Sequence, residues 1–185
     1  MVEIIKFEDV KPANIIKRIH FGEVFIYPTD TIYGIGCDAT NEGAAKSIRV
    51  IKQRFDKPFS VIAPSKQWIS KNFIVSKSFV DKLPGPFTYI LKTKKKNLVA
   101  PNVAHGETIG VRIPNHEFIT TIQKSKKPFV TTSVNTAGEI PCNDPKKIPR
   151  EILDSVDVLI DAGKLDNKPS IILDFTEELP KIVRL

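Results

Sequence analysis

Apolar residues along this chain recur in two spacings, one typical of helices and one typical of strands. Over residues 41–52 they return at every third or fourth position and form one apolar stripe. Asn41 can cap the start of this helix. Pro58 disfavours helical geometry at the residue before it, so the helix is predicted to end near Lys52.

Two further helical regions follow from the same spacing. One begins at Pro12 and ends before Gly22, since proline suits the first helical turn and glycine suits the residue after a helix. The other is predicted to start after Ser65 and to reach Leu83. Its large apolar side chains are expected in the core, and they are Trp68, Ile69, Phe73, Val80 and Leu83.

Short apolar runs predict strands, which are mostly buried. These runs are residues 3–7, 24–27, 59–63, 87–92, 156–160, 171–175 and 182–185. The order of helices and strands is mixed rather than strictly alternating. We therefore expect an α/β fold in a single domain over residues 1–185, with a twisted sheet of parallel and antiparallel strands flanked by helices.

Two more strands alternate between apolar and polar residues. In residues 108–114, the polar or small members Thr108, Gly110 and Arg112 share one face. In residues 129–135, the corresponding set is Thr131, Ser133 and Asn135. A polar strip of this kind can simply face solvent, but Asn135 leads into a turn where the end of a strand often meets a ligand.

Composition narrows the class of protein. The chain has 185 residues, of which 41% are hydrophobic and 26% charged, as in globular proteins. Lys and Arg exceed Asp and Glu by 28 to 21, a net charge of +7 that attracts anions such as nucleotides or RNA. Cys37 and Cys142 form neither a metal cluster nor a disulfide framework. With no signal peptide or apolar run of membrane-spanning length, we expect a cytoplasmic protein that does not enter membranes.

Residues that are typical of turns or of ligand-binding loops are concentrated after Pro28. Thr29 and Thr31 are two residues apart, so their hydroxyls face the same side if the loop is extended. Gly34 and Gly36 then permit a positive φ or the close approach of a ligand to the backbone. The alternative is an ordinary turn.

Basic residues follow the helix over residues 41–52. A continued helix would place Lys52 and Arg54 roughly 200° apart around its axis, whereas an extended chain would aim them together. Because the helix is predicted to end at Lys52, the two side chains are expected to converge on one anion, with Lys57 nearby. The lysine run at residues 92–96 is interpreted as a solvated hairpin tip, with an RNA contact as the alternative.

Familiar nucleotide and hydrolase signatures are missing from the sequence. It contains no Walker motif and no complete Gly-x-Gly-x-x-Gly, so dinucleotide binding is not expected. It contains no Ser-His-Asp order, and His20, His105 and His116 are interpreted as surface or structural residues. The candidate chemistry is thus an anion site rather than a covalent nucleophile.

Five motifs in order, the first of them in two parts, resemble one known family. They are PTDTIYG (28–34), KQR followed by KP (52–58), LPGPFTYIL (83–91), TIGVRIPNH (108–116), TTSVNTAGE (131–139) and KPSIILD (168–174). This pattern is similar to the YrdC family of threonylcarbamoyl-AMP synthases. Since the chain ends one residue after Arg184, it resembles the single-domain form of that family.

The resemblance implies a reaction and its partners. L-threonine, bicarbonate and ATP, with Mg²⁺ as cofactor, would give threonylcarbamoyl-AMP and pyrophosphate for N6-threonylcarbamoyladenosine modification of tRNA. The product would pass to a tRNA threonylcarbamoyl-transferase complex, and direct RNA contact stays open. The alternatives are an RNA-binding protein of this fold without synthase activity and a relative that forms carbamoyl-AMP.

The resemblance also assigns residues. Lys52 and Arg54 would be catalytic. The threonine site would comprise Thr31, Arg112, Ser133 and Ser170, with Arg112 on the substrate carboxylate. The nucleotide site would comprise Lys52, Arg54, Lys57, Thr108, Asn135, Asn143 and Arg184.

Overall fold

The computed structural model describes residues 1–104, 106–136 and 138–185. Six helices lie in this part of the chain: α1 (Pro12–Phe21), α2 (Glu42–Lys52), α3 (Lys66–Asn72), α4 (Lys77–Asp81), α5 (Glu117–Lys124) and α6 (Arg150–Leu153). Two short 3₁₀ helices cover Phe7–Asp9 and Pro145–Lys147. Within the same part of the chain, no helix is both long and apolar enough to span a bilayer.

Eleven strands form one sheet within the described residues. They are β1 (Glu3–Lys6), β2 (Phe25–Tyr27), β3 (Gly34–Gly36), β4 (Ser60–Ile62), β5 (Phe73–Ile74), β6 (Phe87–Thr93), β7 (Thr108–Arg112), β8 (Phe129–Ser133), β9 (Val158–Asp161), β10 (Ile171–Asp174) and β11 (Lys181–Arg184). Their order is β1-β9-β2-β3-β8-β4-β7-β6-β10-β11, and β5 pairs with β6.

Parallel and antiparallel pairs occur in the same sheet, which confirms the predicted fold class. The strand pairs β1·β9, β2·β9, β4·β7 and β6·β10 are parallel. The pairs β2·β3, β3·β8, β4·β8 and β6·β7 are antiparallel. The antiparallel block β3-β8-β4 stands between two partly parallel regions.

Both faces of the sheet are covered by apolar side chains. Neighbouring strand residues alternate between two core clusters, so that Val61 belongs to one and Ile62 to the other. Helices α1 and α5 supply Ile15, Ile19 and Phe118 to the smaller cluster. Helix α2 packs on the larger cluster through the predicted stripe.

The predicted ends of α1 and α2 are confirmed. Gly22 follows α1 with φ 82°. The side chain of Asn41 caps α2 by accepting a hydrogen bond from the backbone N–H of Ala44 at 3.0 Å. Helix α2 ends at Lys52, as the proline at position 58 indicated.

The long helix predicted over residues 65–83 is wrong. Ser65 does cap a helix, but that helix ends at Asn72. Phe73 and Ile74 then form β5 and pair with Thr93 and Lys92 of β6. The backbone hydrogen bonds gained by this pairing replace the helical ones, and α4 starts afresh at Lys77.

Candidate functional site

A cleft of about 220 Å³ opens where the loop after β2 meets the polar ends of the central strands. Its wall and floor are rich in hydroxyl groups, including those of Ser60, Thr88 and Thr131. Six of the residues predicted from the sequence line it, namely Thr31, Arg54, Arg112, Ser133, Ser170 and Arg184. The fold therefore gathers residues from six separate segments around one small polar space.

Arg112 occupies the interior of this cleft at the end of β7. Its Nη2 donates hydrogen bonds to Oδ1 of Asp30 at 2.8 Å and to Oγ1 of Thr31 at 3.3 Å. Its Nε is buried and has no hydrogen-bond partner among the residues that the structure describes. Burial lowers the pKa of the guanidinium, and the carboxylate of Asp30 opposes that shift. Arg112 is thus a buried cation with unused hydrogen-bonding capacity beside a cleft.

The threonine pair in the loop after β2 forms a directed chain of hydrogen bonds. Oγ1 of Thr29 donates to the carbonyl of Ile32 at 2.7 Å, so in its 2.9 Å contact with Oγ1 of Thr31 it is the acceptor. Thr31 therefore donates to Thr29 and accepts from Arg112. The two hydroxyls lie on the same side, as their spacing predicted, and they fix the position of Thr31 at the cleft.

Arg54 brings a second cation to the cleft from the loop after α2. Its Nη2 donates to the carbonyl of Pro58 at 2.7 Å, and its guanidinium lies 5.4 Å from the ring centroid of Phe59. Its Nε, like that of Arg112, is buried and finds no partner in the described parts of the chain. Burial lowers the pKa of Arg54, and the neighbouring charge of Arg49 adds to the effect.

Lys52 differs from the expectation that it converges with Arg54 on one anion. It is buried, and its Nζ donates to the carbonyls of Ser133 at 2.6 Å and Asn135 at 2.8 Å, and to Oδ1 of Asn135 at 3.1 Å. An ammonium has three hydrogens, and here all three point at protein acceptors. Burial lowers the pKa of Lys52 to about 8, with a further contribution from Arg54. Lys52 thus fixes the end of β8 beside the cleft.

Ser170 and Arg184 form the far wall of the cleft. Nε and Nη2 of Arg184 donate to the carbonyl of Ser170 at 3.2 and 2.8 Å, and Nη2 also reaches Oγ of Ser170 at 3.2 Å. Oγ of Ser170 lies 3.0 Å from Oγ1 of Thr88. Burial lowers the pKa of Arg184.

The remaining predicted residues lie outside the lining of the cleft. Lys57 is exposed on the loop after α2. Thr108 stands at the opposite end of β7 from Arg112, four residues or ~13 Å along the strand, and pairs with Lys92. Asn143 accepts a hydrogen bond through its carbonyl from the N–H of Leu165.

The two histidines that the structure describes, His20 and His116, make separate contacts. His116 caps α5 through Nδ1, and His20 contacts the carbonyl of Ser125. The prediction for His105 lies outside the described residues.

Two side chains at the cleft that hold predicted residues in place escaped the sequence analysis. Asp30 is the partner of Arg112, and its other oxygen, Oδ2, accepts from the N–H of Asn115 at 2.9 Å. Thr88 meets Ser170 in the cleft wall. The available signal for Asp30 was its position between two threonines in a turn. Its partner on β7 is 82 residues away, and residue spacing carries no information about such a contact.

Gly34 and Gly36 serve packing within the protein. A Cβ on Gly36 would lie 1.9 Å from the carbonyl oxygen of Val130, and one on Gly34 would lie 2.9 Å from the ring of Tyr27. Neither glycine has a positive φ. The close approach seen here is that of protein atoms from β8 and β2. Gly34 also lines the cleft, so the approach of a ligand to its backbone stays a prediction.

The donor atoms around the cleft bear on how Mg²⁺ could be held. No group of three or more His, Cys, Asp and Glu side chains suitable for a metal ion occurs within residues 1–104, 106–136 and 138–185. Both carboxylate oxygens of Asp30 already have partners in Arg112 and Asn115. This donor set suits a metal ion that arrives on the phosphates of a substrate, with its remaining positions taken by water.

The fold and the cleft define an α/β protein with a buried arginine beside a polar cleft, and comparisons with known proteins specify its family. Residues 17–185 match the family model Sua5_yciO_yrdC, described as "Telomere recombination". This chain belongs to that family, which confirms the resemblance found in its motifs.

Individual relatives share most of the chain. A protein of Methanocaldococcus jannaschii named "Putative threonylcarbamoyl-AMP synthase" is 39% identical over 168 residues, which are 88% of this chain and 79% of that protein. "Uncharacterized protein YciO" of Escherichia coli is 29% identical over 181 residues, or 91% of this chain and 85% of that protein.

Solved structures of the family superpose on the whole fold. The crystal structure of P. abyssi Sua5 complexed with L-threonine has a TM-score of 0.86 at 25% identity and covers 99% of this chain. This chain spans only 57% of that Sua5 chain. The crystal structure of E. coli YciO has a TM-score of 0.85 at 25% identity and covers 100% of this chain and 95% of its own.

Proposed function

We propose that this protein is an L-threonylcarbamoyladenylate synthase, a nucleotidyltransferase that condenses L-threonine, bicarbonate and ATP to threonylcarbamoyl-AMP and pyrophosphate. The observation that carries the proposal is that Arg112 and Arg54 both line one hydroxyl-rich cleft, and each has a buried guanidinium Nε with no partner in the described part of the chain. A buried donor without a partner costs about 1–3 kcal/mol. Two such donors at one cleft favour a ligand that carries two anionic groups.

The Arg112 side of the cleft suits the amino acid. A guanidinium forms charge-assisted hydrogen bonds to a carboxylate, and the Nε of Arg112, which has no partner among the described residues, would donate one of them. Thr31 and Ser170 supply hydroxyls on either side for the amine and side-chain hydroxyl of threonine. The crystal structure of P. abyssi Sua5 complexed with L-threonine, a chain of the same fold, supports L-threonine as the amino acid.

The Arg54 side suits the phosphates of ATP. Arg54 and Arg184 are cations on the cleft wall, and Ser133 adds a hydroxyl. Lys52 would act mainly by holding Ser133 and Asn135 in place, because its own hydrogens are engaged. The family resemblance adds four residues to the nucleotide site, and they are Lys57, Thr108, Asn135 and Asn143.

The chemistry needs positioning and positive charge. The threonine amine nitrogen would bond to the carbon of bicarbonate with loss of water, and the resulting carbamate oxygen would attack the α-phosphorus of ATP. The bond from that phosphorus to the pyrophosphate oxygen breaks, and negative charge grows on the leaving group. Arg54 is the residue we assign to stabilise that charge directly, and Lys52 adds positive charge from behind the cleft lining. This is an electrostatic role for cations held in fixed positions.

The partners follow from the reaction. Mg²⁺ would enter with ATP as part of the substrate and neutralise phosphate charge. The product is a reactive mixed anhydride, which we expect to pass to a tRNA threonylcarbamoyl-transferase complex. Working in the cytoplasm would place the protein beside its tRNA target.

A pyrophosphate-release assay tests the proposed function. Purified protein with ATP, Mg²⁺ and bicarbonate should release pyrophosphate only when L-threonine is added. Equal release without threonine would contradict the proposal. Release with other amino acids at the same rate would instead contradict the assigned substrate.

Direct contact with RNA is a second candidate function, favoured by the lysine tip between β6 and β7. Lys94, Lys95 and Lys96 are all exposed there, as the sequence predicted for a solvated tip. Binding of tRNA that falls steeply with salt, and that is lost on changing all three lysines to serine, would support this function. Unchanged binding by that variant would exclude the tip.

A further inference from the structure

Arg49 makes an unusual set of contacts just outside the cleft. It lies in the last turn of α2 and is only 5% exposed. Its Nε donates to the carbonyl of Asn102 at 2.6 Å. Its Nη1 lies 2.9, 3.1 and 3.2 Å from the carbonyls of Arg54, Phe55 and Lys57. One guanidinium therefore gathers three carbonyls of the loop that carries Arg54.

Two hydrogen bonds connect Arg49 directly to Arg54. The backbone N–H of Arg54 donates to the carbonyl of Arg49 at 3.0 Å, and the carbonyl of Arg54 accepts from Nη1 of Arg49. With its carbonyl turned toward Arg49, Arg54 has its backbone orientation fixed, and its side chain lines the cleft. The loop has no regular secondary structure from which this orientation could otherwise follow.

The arrangement also brings two cations together. The guanidinium of Arg49 lies 4.7 Å from the ring centroid of Phe59, and that of Arg54 lies 5.4 Å from the same centroid. The aromatic ring attracts both cations and offsets part of their mutual repulsion. An anion bound in the cleft would offset the remaining repulsion between Arg49 and Arg54, so this pair of cations would be most stable when the cleft is occupied.

We propose that Arg49 is a positioning residue, which holds the backbone of residues 54–57 so that Arg54 presents its guanidinium to a phosphate group in the cleft. The proposal rests on the nucleotide site of the proposed function. Lysine cannot replace Arg49 because its three hydrogens radiate from one nitrogen, whereas the planar fork of arginine reaches carbonyls on separate segments.

A double-mutant cycle tests the proposal, with inorganic pyrophosphate and Mg²⁺ as the calorimetric probe. Arg54→Met should weaken pyrophosphate binding by about 10- to 100-fold, the loss of one charge-assisted contact. Arg49→Met should weaken it by about tenfold on the same scale. Because Arg49 acts through Arg54, adding Arg49→Met to Arg54→Met should change binding by less than about twofold.

Two further variants separate positioning from folding. Arg49→Lys keeps the charge, should fold if Arg49→Met does not, and should still weaken pyrophosphate binding. Arg18→Met removes an arginine that pairs with Glu3 and Glu23 away from the cleft. This control should lower the melting temperature without changing pyrophosphate binding.

Several results would overturn the proposal. They are additive losses in the double variant, unchanged binding in Arg49→Lys, and failure of the parent protein to bind pyrophosphate. Pyrophosphate binding is measured without turnover. An absence of threonine-dependent pyrophosphate release would therefore contradict the proposed function while leaving the role of Arg49 standing.

Discussion

Nη2 of Arg112 donates to Oδ1 of Asp30 at 2.8 Å, and the two side chains are only 8% and 10% exposed. Asp30 also accepts from the N–H of Asn115, so the loop after β2 and the loop after β7 are tied together by one carboxylate. The ion pair fixes one edge of the guanidinium plane. It leaves Nε without a partner among the described residues, and under the proposed function this donor would serve the carboxylate of threonine.

Arg112→Lys should separate threonine binding from ATP binding. Lysine can still pair with Asp30, so the fold should persist, but it cannot offer a planar fork to a carboxylate. We expect threonine to bind about tenfold more weakly, or worse, while ATP affinity changes by less than about twofold. Calorimetric titration with each ligand measures both. Equal losses, or a loss for ATP alone, would show that Arg112 belongs to the nucleotide half.

Lys52 predicts a pH dependence of stability. Its pKa falls from 10.5 to about 8 in the folded protein because it is buried. Between these two pH values the unfolded chain binds more protons at Lys52 than the folded one does. The free energy of unfolding therefore rises with pH over this range. Below pH 8 both states are protonated and the full cost of burying the charge remains.

Comparison with a Lys52→Met variant isolates this contribution. Urea denaturation at pH 7.5, 9 and 10 should show the free energy of unfolding of the parent rising relative to the variant. All other titrating groups are shared and cancel in the difference. A difference that stays constant across this range would mean that Lys52 keeps an ordinary pKa.

Gln53 holds an unfavourable backbone conformation between the two predicted catalytic cations. Its φ of 49° and ψ of 41° are left-handed and end α2. Because glycine adopts this conformation freely, Gln53→Gly should raise the free energy of unfolding by about 0.5–1 kcal/mol. Lys46→Gly, an exposed site inside the same helix, is the matched control and should lower it by about 1 kcal/mol. Urea denaturation that shows a loss for both would contradict the assignment.

Gly36 is expected to tolerate no side chain. A Cβ there would meet the carbonyl oxygen of Val130 at 1.9 Å, a backbone atom that cannot move aside cheaply. Gly36→Ala should therefore lower the free energy of unfolding by about 1–3 kcal/mol or more. Gly43→Ala in α2, where the nearest atom is 3.4 Å away, should be neutral or slightly stabilising. Equal stability of the two variants in thermal melts would refute the packing role.

The parts of the fold that depend on neighbouring residues along the chain were predictable from local sequence patterns. The apolar stripe and the Asn41 cap predicted α2, and alternation around Arg112 predicted which side chains of β7 enter the core. The break at Phe73 was not predictable this way, since an apolar pair continues a helical stripe as well as it fills a strand. Its pairing with Thr93, twenty residues later, decided the outcome.

In the candidate site, too, local patterns identified the residues but not the partners that orient them. Residue types and motifs brought Thr31, Arg54 and Arg112 to attention, and the structure places all three at one cleft. The partners that orient them are remote in sequence. Lys52 bonds to a segment 81 to 83 residues away, and Arg112 to one 82 residues away. Spacing within a motif cannot reveal such contacts because they depend on the register of the whole sheet.

Direct detection of the product tests the central claim most sharply. The protein is incubated with ATP, Mg²⁺, L-threonine and ¹³C-labelled bicarbonate, and nucleotides are analysed by mass spectrometry. We predict an adenylate that carries both threonine and one ¹³C atom, formed with one pyrophosphate, and absent from a parallel reaction with the Arg54→Met variant. A parent protein that yields no labelled adenylate, or that forms an adenylate lacking the threonine mass, would contradict the account.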